Sequence, residues 1–428
     1  MRTIRVGLIG LGTVGSGVVE ILRTHRADFA NRAGVDIELA RFADKNTDRF
    51  TDLGLAPEQC STDAQDLIGD PGLDVIIELI GGTGFARTVV LDALNAGKNV
   101  VTANKALLAS HGEEVMAAAE DSGVDIAFEA SVGGGIPIIG PLKHSLTSNE
   151  ITAVMGIVNG TTNYMLTRMA ENGLDYATAL AEAQAKGFAE ADPTADVDGL
   201  DAAAKIAILS SIAFNSRVVM SQVPAEGIRS LAPEDIAYAR EMGYAIKLLA
   251  IARRMEDGID VRVHPTMIPL THPLASVNAV YNAIYVVGDA VGETMFFGEG
   301  AGSLPAASAV VGDLIEVARR LNAGCAPIVG CTCTEHLAVR DIASLECEYY
   351  IRLDVADKSG VLAAVATVFG NHDVSIGSVI QKRAEGGVAQ IVYVTHRARE
   401  RDVRSALAEI EALDVVSGIA SVIRVEDL

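Results

Sequence analysis

The sequence predicts an α/β protein: a doubly wound parallel sheet first, an α+β segment in the middle, and a ferredoxin-like unit last. Three observations carry that prediction. A short apolar run, Ile4–Ile9, leads straight into Gly10-Leu11-Gly12-Thr13-Val14-Gly15 and then a helical pattern. Strand and helix patterns alternate from there to about residue 130, the spacing that parallel pairing with right-handed crossovers requires. The last 80 or so residues follow the order strand, helix, strand, strand, helix, strand.

The elements read as follows. A helix from about Thr13 to Leu22 follows the first strand. Val35–Ala43 is β-rich and ends at Asp44; Leu73–Ile80 is a strand stopped by Gly81-Gly82. Val89–Ala96 reads as a helix closed by Gly97, Asn99–Thr102 as a strand, Glu113–Ser122 as a helix and Asp125–Phe128 as extended chain. Residues 1–130 thus form a Rossmann-type sheet. From 131 to 322 the alternation stops. Strands Ile151–Val158 and Ile284–Val287 mix there with alanine-rich helices Tyr176–Ala185, Leu200–Ala213 and Ser308–Leu321. Residues 323–346 carry Gly, Pro, Cys and Thr without a period and read as a linker. The unit at 347–428 comprises Glu348–Val355, Gly360–Phe369, Val374–Gln381, Val388–Thr395, Glu400–Ala412 and Ile419–Val425.

Composition narrows the class. At 428 residues the chain is too long for one ordinary domain, and a hydrophobic fraction of 50% supplies ample core. A formal net charge of −22 argues against a broad nucleic-acid or anionic-membrane surface, because phosphate would repel it. The N-terminal apolar run is too short and too rich in glycine for a signal peptide, so a cytoplasmic protein is expected. Five cysteines, Cys60, Cys325, Cys331, Cys333 and Cys347, are few and odd in number. Four crowd between 325 and 347, without the paired spacing or histidines of a zinc site, and read as reduced thiols.

The glycine turn is the first functional signal. Gly10 permits the tight turn, Gly12 lets backbone approach a pyrophosphate, and Gly15 allows close helix–strand packing. The helix start at Thr13 and Val14 offers amides to phosphate. Asp44 ends the second strand, where an acid accepts hydrogen bonds from the adenine ribose of NAD. Arg41, Lys45 and Arg49 lie near enough in sequence to receive the 2′-phosphate of NADP, so both cofactors stay open.

Two segments can carry the chemistry. Val101-Thr102-Ala103-Asn104-Lys105 lies at the carboxyl end of a strand, the edge that faces ligand in open parallel sheets. A surface lysine at a strand end is the plainer reading of Lys105 taken alone. In the second segment, five acids fall among the twelve residues from Glu190 to Asp201, and Lys205 follows as the only basic residue between Lys186 and Arg217. Asp201 and Lys205 are one helical turn apart; as a surface pair they would contribute only about 0.3–0.5 kcal/mol. Lys205 leads, however, into a helix apolar nearly all round, where a charge is costly without partners or a role. Reducing an aldehyde needs a hydride and a proton for the developing alkoxide, and an ammonium group both stabilises that oxygen and donates to it.

At this point the segments resemble those of homoserine dehydrogenases. The resemblance rests on Gly10–Gly15, Thr102–Lys105, Glu129–Pro137 (EASVGGGIP), Gly156–Tyr164 (GIVNGTTNY), Lys186–Lys205 and Gly298–Asp313 (GEGAGSLPAASAVVGD), and covers about residues 1–320. With no kinase-like segment ahead of the glycine turn, the similarity is to the monofunctional bacterial type. It implies interconversion of L-aspartate 4-semialdehyde and L-homoserine in the biosynthesis of threonine, methionine and isoleucine. It further implies a catalytic pair, Lys205 and Lys105, with Lys105 also near the nicotinamide. Glu190 and Asp201 would bind the amino-acid end. Thr13, Val14, Gly187 and Gly302 would contact NAD(P). Glu129, with the carbonyls of Val132, Gly134 and Ile136, would hold a monovalent cation such as sodium, although a flexible turn is the simpler reading of Gly133–Gly135. The central segment implies a substrate-binding and dimerisation domain, hence a homodimer, with higher assembly through its last domain. Residues 347–428 resemble an ACT domain, with Asp357-Lys358-Ser359-Gly360-Val361 at its strand-to-helix turn; threonine is the effector that this similarity implies. A catalytically silent amino-acid sensor, and a related dehydrogenase of another amino or hydroxy acid, are the competing readings.

Overall fold

The computed structural model describes residues 2–325, 327, 330–381 and 388–426. Positions 326, 328 and 329 of the expected linker lie outside them. The chain opens with β1 (Thr3–Ile9), α1 (Thr13–Ala33), β2 (Asp36–Ala43), α2 (Asp48–Asp52), β3 (Cys60–Ser61) and α3 (Gln65–Ile68). It continues through β4 (Val75–Glu78), α4 (Phe85–Asn95), β5 (Asn99–Thr102), α5 (Lys105–Ser122) and β6 (Ile126–Ala127). The middle holds β7 (Ile151–Ile157), α6 (Gly160–Asn172), α7 (Tyr176–Ala185), α8 (Thr194–Val197), α9 (Leu200–Ala213) and α10 (Pro233–Glu241). Next come β8 (Tyr244–Met255), β9 (Gly258–Pro269), β10 (Tyr281–Gly288), β11 (Gly292–Glu299) and α11 (Ser303–Ala323). The end is β12 (Glu346–Ala356), α12 (Val361–Asn371), β13 (Ile376–Gln381), β14 (Val388–Thr395), β15 (Ala398–Arg399), α13 (Glu400–Glu411) and β16 (Val416–Val425).

Two compact units share the chain. One comprises Met1–Val154, Ala204–Val223 and Asn282–Leu337; the other comprises Met155–Ala203, Pro224–Tyr281 and Ala338–Leu428. In the first, six parallel strands take the order β3-β2-β1-β4-β5-β6. That is the dinucleotide-binding order, with the reversal beside β1 that opens a crevice at the carboxyl ends of the strands. β1, β4 and β5 are nearly all buried, as a sheet covered on both faces requires. Chain order assigns α11 to the central segment, yet its Ala307, Val310, Val311, Leu314, Val317 and Ala318 share one core with β1 and α1. The i, i+3, i+4 spacing of these residues gives α11 a single apolar face, and the sheet is what that face covers.

Several elements differ from the sequence reading for identifiable reasons. α1 continues past Leu22 to Ala33 through mostly solvent-facing residues, where no apolar stripe marks it. α5 begins eight residues before the expected Glu113, because non-helical dihedrals at His111 (φ −128°) break the period. α6 is buried almost all round from Thr161 to Thr167, so its helical period is invisible in the sequence.

In the second unit β8 and β9 form a twelve-residue antiparallel hairpin, with Leu249 opposite His264 and Met255 opposite Gly258. β9 is buried on both faces and therefore shows no alternation. The four strands of the C-terminal unit take the order β16-β12-β14-β13, antiparallel throughout, and β16 pairs in parallel with β9 through Arg424–Thr266 and Val425–Met267. α12 and α13 cover one face with Val361, Val365, Phe369, Val403, Ala406 and Ile410.

Several buried charges in this unit are paired. Arg352 donates to both oxygens of Asp235 at 2.7 and 3.2 Å, and the Tyr350 hydroxyl donates to the same carboxylate at 2.9 Å. Arg424 bridges Glu400 and Glu226, and Arg262 pairs with Glu426. Removing one member leaves its partner charged in a dry site. Asp235→Ala is therefore expected to lower unfolding stability by about 3–5 kcal/mol in a urea titration; a loss below about 1 kcal/mol would show that water replaces the carboxylate.

Lys247 on β8 is 4% exposed and donates to the Val277 carbonyl (2.6 Å) and Asn278 Oδ1 (2.9 Å). Burial lowers its pKa to about 8. Between that value and the ~10.4 of an unfolded lysine, the unfolded chain holds a proton that the folded chain has released. This group's contribution to stability thus rises with pH across that window. The melting-temperature difference between the native sequence and Lys247→Met should shift toward the native sequence from pH 8 to 10, and a flat difference would contradict the assignment.

Candidate active site

The glycine turn follows β1 at the carboxyl edge of the sheet. Gly10 has φ +96° and donates its amide to the Ala43 carbonyl at 2.9 Å, tying the turn to the end of β2. A Cβ at Gly15 would collide with the Gly10 carbonyl, whereas one at Gly12 would meet nothing within 4 Å. The first position is closed by packing and the second is open to a ligand. α1 starts at Thr13 and Val14 with no side-chain cap and no acid in its first turn, so its leading amides and dipole are available to an anion. A second helix start lies beside it: Gly302 (φ +129°) precedes α11, and the Ser303 hydroxyl donates to the Thr13 carbonyl at 2.6 Å.

Asp44 accepts from the Leu11 amide (2.6 Å) and the Asn46 amide (2.8 Å), so its carboxylate braces the turn as well as facing the crevice. A cleft of about 340 Å³ is lined by Gly10, Gly12, Asp44, Lys45, Leu79 and Phe85 among others. Arg41 pairs with Asp70 at 3.4 Å, while Lys45 faces the cleft. Open backbone, an uncapped helix start and an acid at the end of β2 fit a dinucleotide.

The neighbouring strand ends form a second fixed group. Glu78, fully buried at the end of β4, accepts from the amides of Ile80 (2.7 Å) and Gly81 (2.9 Å) and from the Thr102 hydroxyl (2.7 Å). Thr102 in turn accepts from the Asn104 amide at 3.0 Å. Asn104 donates to the Gly82 carbonyl at 2.8 Å and caps α5 by accepting from the Leu107 amide. Lys105 is therefore the first residue of α5, half-buried, on a backbone held from two sides. Sequence reading passed over Glu78 and Asn104; the Asn before a helical run in Thr102–Lys105 was the available signal for the cap.

Lys205 is 8% exposed and Asp201 7% exposed, one turn apart on α9. Leu108 lies one turn beyond Lys105, and Ile208 one turn beyond Lys205. Both line one cavity, together with Gly112 and Met116 of α5 and Ser211 and Ile212 of α9. The helices that carry the two lysines thus face a common space.

In the second unit, Asn159 caps α6 by accepting from the Thr162 amide and donates to Asp196 (2.7 Å) and Asp201 (2.9 Å). The Thr161 hydroxyl donates to the Phe188 carbonyl at 2.6 Å, and Gln184 donates to the Glu190 carbonyl at 3.0 Å. Gly187, at φ +75°, turns the chain from α7 into this acidic loop, where the Glu190 side chain is exposed. Asn159 and Thr161 were not singled out from the sequence, although both lie in the GIVNGTTNY segment.

The loop after β6 returns to the first unit. Glu129 accepts from the amides of Ile138 (2.5 Å), Ile139 (2.7 Å) and Gly140 (2.7 Å), and its own amide donates to Asp313. Burial, with Glu129 and Glu316 nearby, raises the Asp313 pKa well above the usual carboxylate range. Three of the roughly four acceptor sites of the Glu129 carboxylate are filled by amides.

Comparison with known proteins agrees with this geometry. Residues 10–129 match the family profile described as homoserine dehydrogenase, NAD binding domain; 137–315 match homoserine dehydrogenase; and 349–415 match the ACT domain. A homoserine dehydrogenase of Synechocystis is 47% identical over 432 residues, covering 99% of each chain. The chain belongs to the homoserine dehydrogenase family. A crystal structure of a homoserine dehydrogenase from Thiobacillus denitrificans superposes with a TM-score of 0.95 at 44% identity, covering 100% of this chain and 99% of that one. A hyperthermophilic archaeal homoserine dehydrogenase solved in complex with NADPH is 26% identical with a TM-score of 0.63, covering 74% of this chain and 98% of that one. As a homoserine dehydrogenase with an ACT domain, this chain is an NAD(P)-dependent oxidoreductase of amino-acid biosynthesis that acts on the CH–OH group of homoserine. Among the described residues no helix is long and apolar enough to cross a membrane.

The two glycines separate binding from packing. Gly12→Ala should leave thermal stability within about 1 kcal/mol of the parent while weakening NAD(P) binding roughly tenfold or more. Gly15→Ala should lower stability by about 1–3 kcal/mol as well. Equal stability losses in the two variants, read by calorimetry and fluorescence titration, would contradict the division of roles.

Proposed function

We propose that Lys205 is the proton donor and acceptor of the reaction and that Lys105 stabilises charge on the same oxygen, as the chain interconverts L-aspartate 4-semialdehyde and L-homoserine. The observation that carries this reading is Lys205 itself, a buried ammonium on the apolar helix α9, which lines a cavity in common with the helix that Lys105 begins. A bound nicotinamide would supply or accept the hydride. The Lys205 ammonium would give its proton to the alkoxide oxygen during reduction and, once neutral, take it from the hydroxyl during oxidation. Lys105, on a backbone fixed by Asn104, would add a second preorganised positive charge at the developing oxyanion.

Asp201 and Glu190 would hold the α-ammonium group of the substrate. Asn159, which donates to Asp201, would orient that carboxylate. Gly10, Gly12, Thr13, Val14, Gly15 and Gly302 would bind the pyrophosphate region, with Asp44 at the ribose, Lys105 near the nicotinamide, and Gly187 a further contact. Glu129, Val132, Gly134 and Ile136 would hold sodium or a similar monovalent ion. In this reading residues 1–130 bind the cofactor, 131–322 bind substrate and form a homodimer, 323–346 link, and 347–428 regulate in response to threonine. The sparse, odd set of cysteines supports residence in the cytoplasm.

Lys205→Ala is expected to lower kcat by about 10²–10⁴-fold, with NADPH affinity unchanged within about twofold. Absorbance at 340 nm in both directions and a cofactor titration measure the two. A variant that keeps kcat within tenfold sinks the assignment, and so does one that loses cofactor binding in parallel.

A further inference from the structure

The Cys-Thr-Cys segment, with no role in hydride transfer, lies against the cavity lined by α5 and α9. Cys331 Sγ receives a hydrogen bond from Arg217 Nη2 at 3.1 Å, and its backbone amide donates to Glu120 Oε1 at 2.7 Å. The Cys333 thiol lies within hydrogen-bond reach of Cys331 and contacts the Ser211 carbonyl at 3.6 Å. Lys143 lines the same cavity, its own pKa lowered by burial. Two thiols thus meet each other and a guanidinium, with an ammonium nearby. Every residue of this group belongs to the first unit.

We propose that Cys331 and Cys333 are a redox-active dithiol that small hydroperoxides close to an intramolecular disulfide, and that closure slows turnover. The order of events follows from the surroundings. Burial raises the Cys333 pKa to about 11 and keeps it a thiol, whereas Cys331 Sγ is the sulfur that accepts from the Arg217 guanidinium, a partner that favours attack through it. Cys331 Sγ, as thiolate, attacks the distal oxygen of the peroxide. The O–O bond breaks, a sulfenic acid forms, and the leaving hydroxide or alkoxide takes the proton that Cys331 gave up. Cys333 Sγ then displaces hydroxide from Cys331 Sγ, its own proton leaving with that hydroxide as water. Two electrons pass from the thiols to the peroxide, and hydrogen peroxide yields two waters. A bridge across one intervening residue is a small ring with restricted geometry, which belongs to the readily reduced class of disulfides.

Closure must also move the pair. Cys331 loses its contact with Arg217, whose guanidinium already packs so close to Gly112 of α5 that a Cβ there would lie 2.9 Å from it. Cys333 leaves the Ser211 carbonyl on α9. The disturbance therefore falls on the two helices that carry Lys105 and Lys205, where small misplacements cost large factors in rate.

The test uses the full chain treated with hydrogen peroxide, then with dithiothreitol. Peptide mapping by mass spectrometry should find a Cys331–Cys333 bridge, kcat should fall roughly tenfold, and reduction should restore both. Cys331→Ser should start with the activity of the parent and keep it under peroxide. Cys333→Ser should stop at a dimedone-reactive sulfenic acid on Cys331. Oxidation confined to the exposed Cys325, a bridge between Cys325 and either partner, or a 331–333 bridge formed without loss of turnover would each overturn the proposal.

Discussion

The apolar face of α11 covers the same core as β1 and α1, and the Ser303 hydroxyl reaches back to the Thr13 carbonyl. This contact joins residues 290 positions apart in sequence. It completes the cover of a parallel sheet that cannot leave either face in water, and it sets the start of α11 beside the uncapped start of α1. Without it the glycine turn would still form, but Gly302 would have no fixed relation to the cofactor cleft.

The carboxyl edge of that sheet then serves two purposes. Strand ends there carry amides and side chains whose hydrogen bonds are not consumed by the ladder. Glu78 gathers two of the amides and Thr102, and Asn104 locks the start of α5 onto Gly82. The result is a short lysine-bearing segment held on a backbone network rather than on a flexible loop. A charged side chain whose base is fixed in this way loses little of its electrostatic effect to reorganisation.

The second unit manages charge differently. Its C-terminal sheet joins the β8–β9 hairpin through β16, and the residues near that seam are arginines and carboxylates in buried pairs. Such pairs are poor sources of net stability and good sources of geometric specificity, because mismatched partners would be left charged and dry. A domain of the ACT type placed by directional contacts of this kind has a defined register against its hairpin.

Local sequence rules determined the glycine turn, the parallel sheet, the limits of α7 and α9 and the βαββαβ order, because each depends on periodicity or turn chemistry over a few residues. They also marked Lys205, since a lone cation in an apolar helix is conspicuous without any structure. Tertiary structure alone decided that α11 belongs with the N-terminal sheet, that α6 is a helix despite burial on all sides, and that Glu78, Asn104 and Asn159 hold the functional segments in place. It also turned Cys331 and Cys333 from a linker motif into a pair facing Arg217. The reason is the same in each case: the sequence records what a residue can do with its near neighbours, whereas burial and hydrogen-bond partners at long separation exist only once the chain has closed on itself.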